Sequence, residues 1–328
     1  MPTNPSTHSP HSPDTPLHTL IIDTDPGADD VIALLFAMAA PEALHIQALT
    51  TVAGNVPLAK TSRNARLACE WAGRPEIAVY AGAERPLQRT PIYAANIHGK
   101  EGLTGVDVYE PATPLAEGHA VDYLVRTLRA APEKSVTLAM LGPQTNLALA
   151  LEQAPDIVRG LRELVLMAGA HFNGGNITPV AEFNVFADPH AAEAVLKSGV
   201  PITLLPLDVT HKILTSEARI ARLRGLGNKA GATVADILDA YAPQEMKHYD
   251  MPGGPVHDAT VTAYLLRPSL FTGKRIHVEV DSREGMGFGQ TVADWYGSLH
   301  RTPNATWIVD GDAQGFFDLL TEHIARLP

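Results

Sequence analysis

Basic residues are scarce and cysteine is almost absent. The 328-residue chain carries 25 Lys and Arg against 36 Asp and Glu, a formal charge of −11 with histidine neutral. Phosphate backbones are gripped by clustered Lys and Arg, and the sequence has no such run, so nucleic-acid binding is excluded as its main task. The one cysteine, Cys69, rules out an intrachain disulfide and a cysteine-built zinc site. It falls in a helical-looking stretch and reads as packing rather than as a nucleophile. Long apolar runs are missing as well. The longest, Val31 to Ala40, has ten residues, about half the length a membrane-spanning helix needs. The first 17 residues, MPTNPSTHSPHSPDTPL, have neither the basic start nor the apolar centre of a signal peptide, which points to the cytoplasm. Their Pro, Ser, Thr and His content predicts a disordered extension over residues 1–18, with His8, His11 and His18 on a solvated tail.

What is present is an ordinary globular balance, 45% hydrophobic and 19% charged, enough to bury a core without staples. Short apolar runs at 19–22, 44–52, 77–80, 136–141, 164–167 and 202–207 read as strands. Helical stretches at 28–40, 58–72, 145–153 and 189–198 alternate with them. Residues 215–250 read as a helical excursion, and 274–296 as a strand with a Gly-rich loop. Neither a repeat nor a linker interrupts 19–328. The pattern predicts one α/β domain, doubly wound, with a mostly parallel central sheet flanked by helices. In such sheets ligands bind beyond the carboxyl ends of the strands, so the chemistry belongs just after each apolar run.

The first run leads into Asp23-Thr24-Asp25-Pro26-Gly27-Ala28-Asp29-Asp30, four carboxylates in eight residues. Pro26 holds Asp25 extended, and Gly27 permits a tight reversal into the helix. A single acid in a first helical turn is ordinary capping; four converging acids raise one another's pKa unless a cation neutralises them. The second run ends at Asn55, either a turn cap or a group aimed at ligand hydroxyls. The fourth ends in Leu141-Gly142-Pro143-Gln144-Thr145-Asn146, where a sharp turn could leave the Leu141 carbonyl free for a metal, and Asn146 reads equally as a helix cap. His98 lies in a Gly-rich loop, and the stretch from Met167 to Asn184 is dense in amides with one carboxylate, Glu182. His257-Asp258 precedes an apolar helix; it is a bare helix start, or Asp258 completes an all-oxygen metal shell while His257 moves a proton. An oxygen-only donor set favours Ca²⁺ over Zn²⁺, and its tolerance of about seven or eight ligands favours it over Mg²⁺.

Together the blocks DTDPGADD (23–30), TVAGN (51–55), IHGKEGLTG (97–105), LGPQTN (141–146), LMAGA (166–170), GNITPVAEFNVFADP (176–189, with its leading Gly at 175) and GGPVHDA (253–259) resemble the inosine–uridine-preferring nucleoside hydrolase family in order and spacing. The resemblance implies hydrolysis of ribonucleosides to free base and ribose, with Ca²⁺ as cofactor. Asp25, Asp30, Asp258 and the Leu141 carbonyl would hold the ion, which would bind two ribose hydroxyls and a water. Asp25 would be the general base, and His257 and Asn184 would complete the catalytic group. Asp29, Asn55 and Asn184 would bind the 2′- and 3′-hydroxyls, and Asn176 and Glu182 the 5′-hydroxyl. Met167 would pack by the sugar, and His98 and His257 would face the base. A homotetramer or dimer is implied too, and neither a membrane nor a nucleic acid as partner.

One segment departs from part of that family, which carries a Tyr before GGPVHD to assist purine departure. Tyr241, Glu245 and Tyr249 stand at i, i+4 and i+8 on one helical face. An ungapped count from His257 puts Glu245 in the Tyr position, with Tyr249 beside it as a further base contact. This favours pyrimidine ribonucleosides, with inosine also a candidate substrate; simple packing is the other reading of these residues. Two competing activities are an aspartyl-type phosphatase, suggested by Asp23-x-Asp25 but ill served by further acids, and a ribonucleoside-binding module without catalysis.

Overall fold

In the computed structural model, which describes residues 18–328, nine strands follow the chain. They are β1 His18–Thr24, β2 Leu44–Thr51, β3 Ala78–Ala81, β4 Val136–Met140, β5 Leu161–Leu166, β6 Ile202–Leu204, β7 Phe271–Val280, β8 Thr291–Asp294 and β9 Ala305–Gly311. They make one sheet in the order β3-β2-β1-β4-β5-β6-β9-β7-β8. Every pair from β3 to β9 is parallel, and only β7 runs against its neighbours β9 and β8. The expected α/β architecture, a mostly parallel sheet in one domain flanked by helices, is the one observed.

The apolar runs are strands because both their faces are buried. Leu20 and Ile22 enter one core while Ile21 enters the other; Leu138 and Met140 alternate with Ala139 in the same way. That is the pattern of a sheet covered on both sides. The first helix, Ala28–Met38, is buried at every residue, as its all-round apolar sequence requires. It packs against the helices Leu58–Trp71 and Ala259–Leu266. Cys69 is fully buried in the former, and burial pushes its thiol up to about 12, which leaves it a packing residue at neutral pH.

Several expectations shift in detail. The extension predicted for 1–18 lies outside the described residues except for His18, which is a buried residue of β1 with Nδ1 3.3 Å from Thr137 Oγ1. The strand expected over 202–207 stops at Leu204, because Pro206 has no N–H for a ladder and instead opens the short helix Leu207–Thr210. The excursion at 215–250 is two helices, Glu217–Arg224 and Lys229–Tyr249. The segment 274–296 is the β7–β8 hairpin. No expectation covered β9 or the helices Ala120–Ala130 and Ala313–Ile324.

From β1 the chain steps to β2 and β3 toward one edge, and from β4 to β5 and β6 toward the other. The order reverses between β1 and β4, so a crevice opens at their carboxyl ends. Asp23 pairs with Met140 across that junction, which brings Asp25 and Leu141 to the same place.

Candidate active site

A cavity of about 180 Å³ sits over this junction. Asp29, Asn55, His98, Leu141, Met167, Asn176, Glu182, Asn184, Glu245, Tyr249, His257 and Asp258 line it, together with Tyr241 and the unanticipated Ala94, Asn96, Ile177 and Phe183. Asp25 and Asp30 lie beneath the floor, both fully buried. Residues spread over more than two hundred positions are thus gathered at one strand-end crevice.

Asp30 is held by four donors. Its Oδ1 accepts from Thr24 Oγ1 at 2.6 Å and from the Asp25 N–H at 3.2 Å. Its Oδ2 accepts from the Gly27 N–H at 2.9 Å and from Asn55 Nδ2 at 3.0 Å. Asp30 therefore caps the first helix and fixes Asn55 at once. Gly27 was expected to supply a reversal, but its φ of −96° is open to any residue. Its smallness matters for another reason: a Cβ there would stand 2.6 Å from His98 Nδ1 and 2.8 Å from Asn55 Nδ2.

Asp25 Oδ2 accepts from the Asn55 N–H at 2.7 Å, whereas Oδ1 accepts from no described residue. Its carboxylate is wedged between two glycines. A Cβ on Gly54 would come within 2.0 Å of Oδ2, and one on Gly142 within 2.3 Å of Oδ1. Oxygens of Asp29, Asp30 and Asp258 approach one another within 4.8 Å, a cluster able to hold a metal ion. Asp29, expected at the ribose, belongs to this close triad, and the Asp25 carboxylate lies beside it, held by the Asn55 amide between the two glycines. Asp258 heads the helix Ala259–Leu266 but caps nothing with its side chain.

Burial pushes the Asp25, Asp29 and Asp258 carboxyls up, and repulsion within the cluster pushes them further. The cavity lining has four carboxylates and two histidines but no Lys or Arg. A hard cation is the partner this oxygen-only set fits. The same charge pattern rejects phosphate, which removes the basis of the phosphatase reading.

The Leu141 carbonyl, expected to be free, accepts Asn184 Nδ2 at 2.6 Å, keeping its second lone pair. Asn184 Nδ2 also reaches the Met167 carbonyl at 3.1 Å. Glu182 caps the short helix Phe183–Ala187 by accepting the Asn184 and Val185 N–H groups, and it accepts the Gly169 N–H as well. Asn146 is no cap. It bonds Asp23 Oδ2 and the Thr51 carbonyl through Nδ2 and accepts the Ala83 N–H, tying β1, β2 and the loop after β3 together.

The opposite wall comes from the helix Lys229–Tyr249 and from two histidines. His98 stacks on Tyr241, with centroids 5.6 Å apart. Its Nδ1 accepts the Ala28 N–H at 3.1 Å, which leaves the ring proton on Nε2. That Nδ1 also lies 3.9 Å from Asp29 Oδ1. His257 has Nδ1 2.8 Å from Thr210 Oγ1 and Nε2 3.5 Å from Glu245 Oε2. Burial works against charge on His257, but Glu245 outweighs it and raises the ring's pKa. Tyr249 hydrogen-bonds to the Asn176 side chain.

Two supporting residues escaped sequence reasoning. Thr210 orients His257 from 47 positions away. Asp208 accepts the N–H groups of His171, Phe172 and Asn173 on Oδ1 and the Trp307 indole N–H on Oδ2, pinning the loop that leads to Asn176. Their one local signal is Pro206, which marks a turn at a strand end.

The sequence matches the family model described as inosine–uridine preferring nucleoside hydrolase over residues 20–318. An uncharacterised protein of Schizosaccharomyces pombe is 44% identical over 309 residues, 94% of this chain and 99% of its own length. The pyrimidine-specific ribonucleoside hydrolase RihA of Salmonella gallinarum is 42% identical over 306 residues, 93% of this chain and 97% of its own. The purine-preferring ribonucleoside hydrolase of Gardnerella vaginalis superposes with a TM-score of 0.86 at 30% identity, covering 94% of this chain and 98% of that one. Sequence, fold and strand-end site agree, and the chain belongs to the inosine–uridine preferring nucleoside hydrolase family and is a ribonucleoside-hydrolysing enzyme.

Proposed function

We propose that the chain cleaves the N-ribosidic bond of pyrimidine ribonucleosides, and of inosine as a secondary substrate, with Ca²⁺ as its cofactor. The observation that carries this reading is the buried acidic floor at the β1–β4 junction, ringed by amides and free of Lys and Arg. The likeness to pyrimidine-specific RihA supports the pyrimidine preference.

In this mechanism Asp25, Asp30, Asp258 and the Leu141 carbonyl hold the ion. When bound, Ca²⁺ supplies orientation of the ribose diol and acidification of a water. Asp29, Asn55 and Asn184 bind the 2′- and 3′-hydroxyls, and Asn176 and Glu182 the 5′-hydroxyl, while Met167 packs against the sugar. These contacts position the anomeric carbon for in-line attack. Asp25 accepts the proton of the attacking water at Oδ1, the oxygen that no described residue occupies. As the C1′–N bond breaks, positive charge grows on the sugar and the surrounding carboxylates stabilise it. The bonding pair leaves on the base, and His257 supplies the proton it takes up. His98, Glu245 and Tyr249 form the wall against which the base rests.

The reading is tested by kcat/KM for uridine, cytidine, inosine and adenosine beside their 2′-deoxy counterparts. Ribonucleosides are expected to exceed deoxynucleosides by about 10³-fold or more, because a site built for a hydroxyl rejects the analogue lacking it. Equal turnover of the two series overturns the diol-binding role. Chelation should remove at least about 90% of the activity, and Ca²⁺ should restore more of it than Zn²⁺ does. Activity unchanged after exhaustive dialysis against chelator, in a preparation verified to be metal-free, counts decisively against the metal.

A further inference from the structure

Glu245 is a carboxylate with unfinished business in the cavity. It lies on the cavity face of the helix Lys229–Tyr249, 3% exposed, yet its Oε2 accepts no well-directed hydrogen bond from any described residue. His257 Nε2 is at 3.5 Å, the outer edge of hydrogen-bond range. A buried carboxylate oxygen without a donor is costly, and a donor on the ligand relieves that cost. The other carboxylates of the lining, Asp29, Asp258 and Glu182, belong to the floor and to a helix cap. Among the described residues of the lining, Glu245 is therefore the one acidic side chain on the wall assigned above to the base.

An ionised carboxylate only accepts hydrogen bonds. Cytosine presents a 4-amino group, a donor, where uracil presents a 4-oxo group, an acceptor. An amine toward Oε2 completes its hydrogen bonding; a carbonyl oxygen there sets two acceptors against each other. We propose that Glu245 makes this enzyme select 4-aminopyrimidine ribonucleosides over their 4-oxo counterparts. The inference rests on the ribonucleoside-hydrolase reading above and adds the base edge that the site reads. A glutamine in the same place can both donate and accept, so it loses the distinction.

The experiment compares kcat/KM for cytidine and uridine in the wild type and in Glu245→Gln, with melting temperatures to confirm folding. The wild type should favour cytidine by at least about tenfold, and Glu245→Gln should bring the ratio to within about threefold of unity, mostly through KM for cytidine. If Glu245 serves only to hold His257, the variant slows both substrates equally and the ratio stays put, which overturns the proposal. A wild type that cleaves uridine as efficiently as cytidine also overturns it, with no need for the variant. A wild type that releases base from no ribonucleoside sinks the underlying function instead, so the two failures are distinguishable.

Discussion

Asp25→Asn is expected to lower kcat/KM for uridine by about 10³-fold or more, the scale of losing a general base together with a charge that stabilises the transition state. The substitution keeps the shape. Its carbonyl oxygen can still accept the Asn55 N–H now bonded to Oδ2 at 2.7 Å. What disappears is the negative charge and, at Oδ1, the proton acceptor. Stability should move the other way. Burial and the neighbouring Asp30 and Asp29 push the Asp25 carboxyl well up, so ionising it costs stability in the ion-free protein, and a neutral amide carries no such cost. The measurement is steady-state kinetics beside thermal melting in chelator. A sharp loss of rate with an unchanged or raised melting temperature is the expected pair. Retention of more than about a tenth of the wild-type rate would falsify the assignment of Asp25 as base.

Gly142→Ala should cost about 100-fold in kcat/KM, although it removes neither a charge nor a hydrogen-bonding group. The new methyl group would stand 2.3 Å from Asp25 Oδ1 and 2.8 Å from its Cγ, so the carboxylate must swing out of its slot. Gly142 is not among the residues with positive φ, so the backbone accepts alanine and the penalty falls on the side chain it crowds. Overpacking of this kind also costs about 1–3 kcal/mol of stability. If the Leu141 carbonyl, which precedes Gly142, holds the proposed ion, half-saturation of activity by Ca²⁺ should rise in parallel. Wild-type kinetics in this variant would show that the position of Asp25 is not critical to the rate.

The acidic motif, the strand ends that carry it and the alternation of apolar runs with helical stretches were legible along the chain. Each is a local property, set by backbone chemistry and by the periodicity of a few neighbouring residues. The strand lost at Pro206 and the free carbonyl expected of Leu141 mark the limit of this legibility. The first followed from a missing N–H that an apolar count ignores. At the second, Asn184, 43 residues on, supplies one donor that no spacing announces.

By itself the sequence determined the doubly wound class, the family and the roster of side chains that meet at the crevice. Tertiary structure alone decided how those side chains divide the work. It put Asp29 into the close carboxylate triad, set Asp25 between Gly54 and Gly142, made Asn146 a tie between strands, and left Glu245 facing the cavity with its Oε2 hydrogen-bonded to no described residue. The physical reason is range. Propensity and periodicity act within a few residues, whereas hydrogen bonds, steric slots and the repulsion of buried charges act between surfaces that meet only when the sheet has formed.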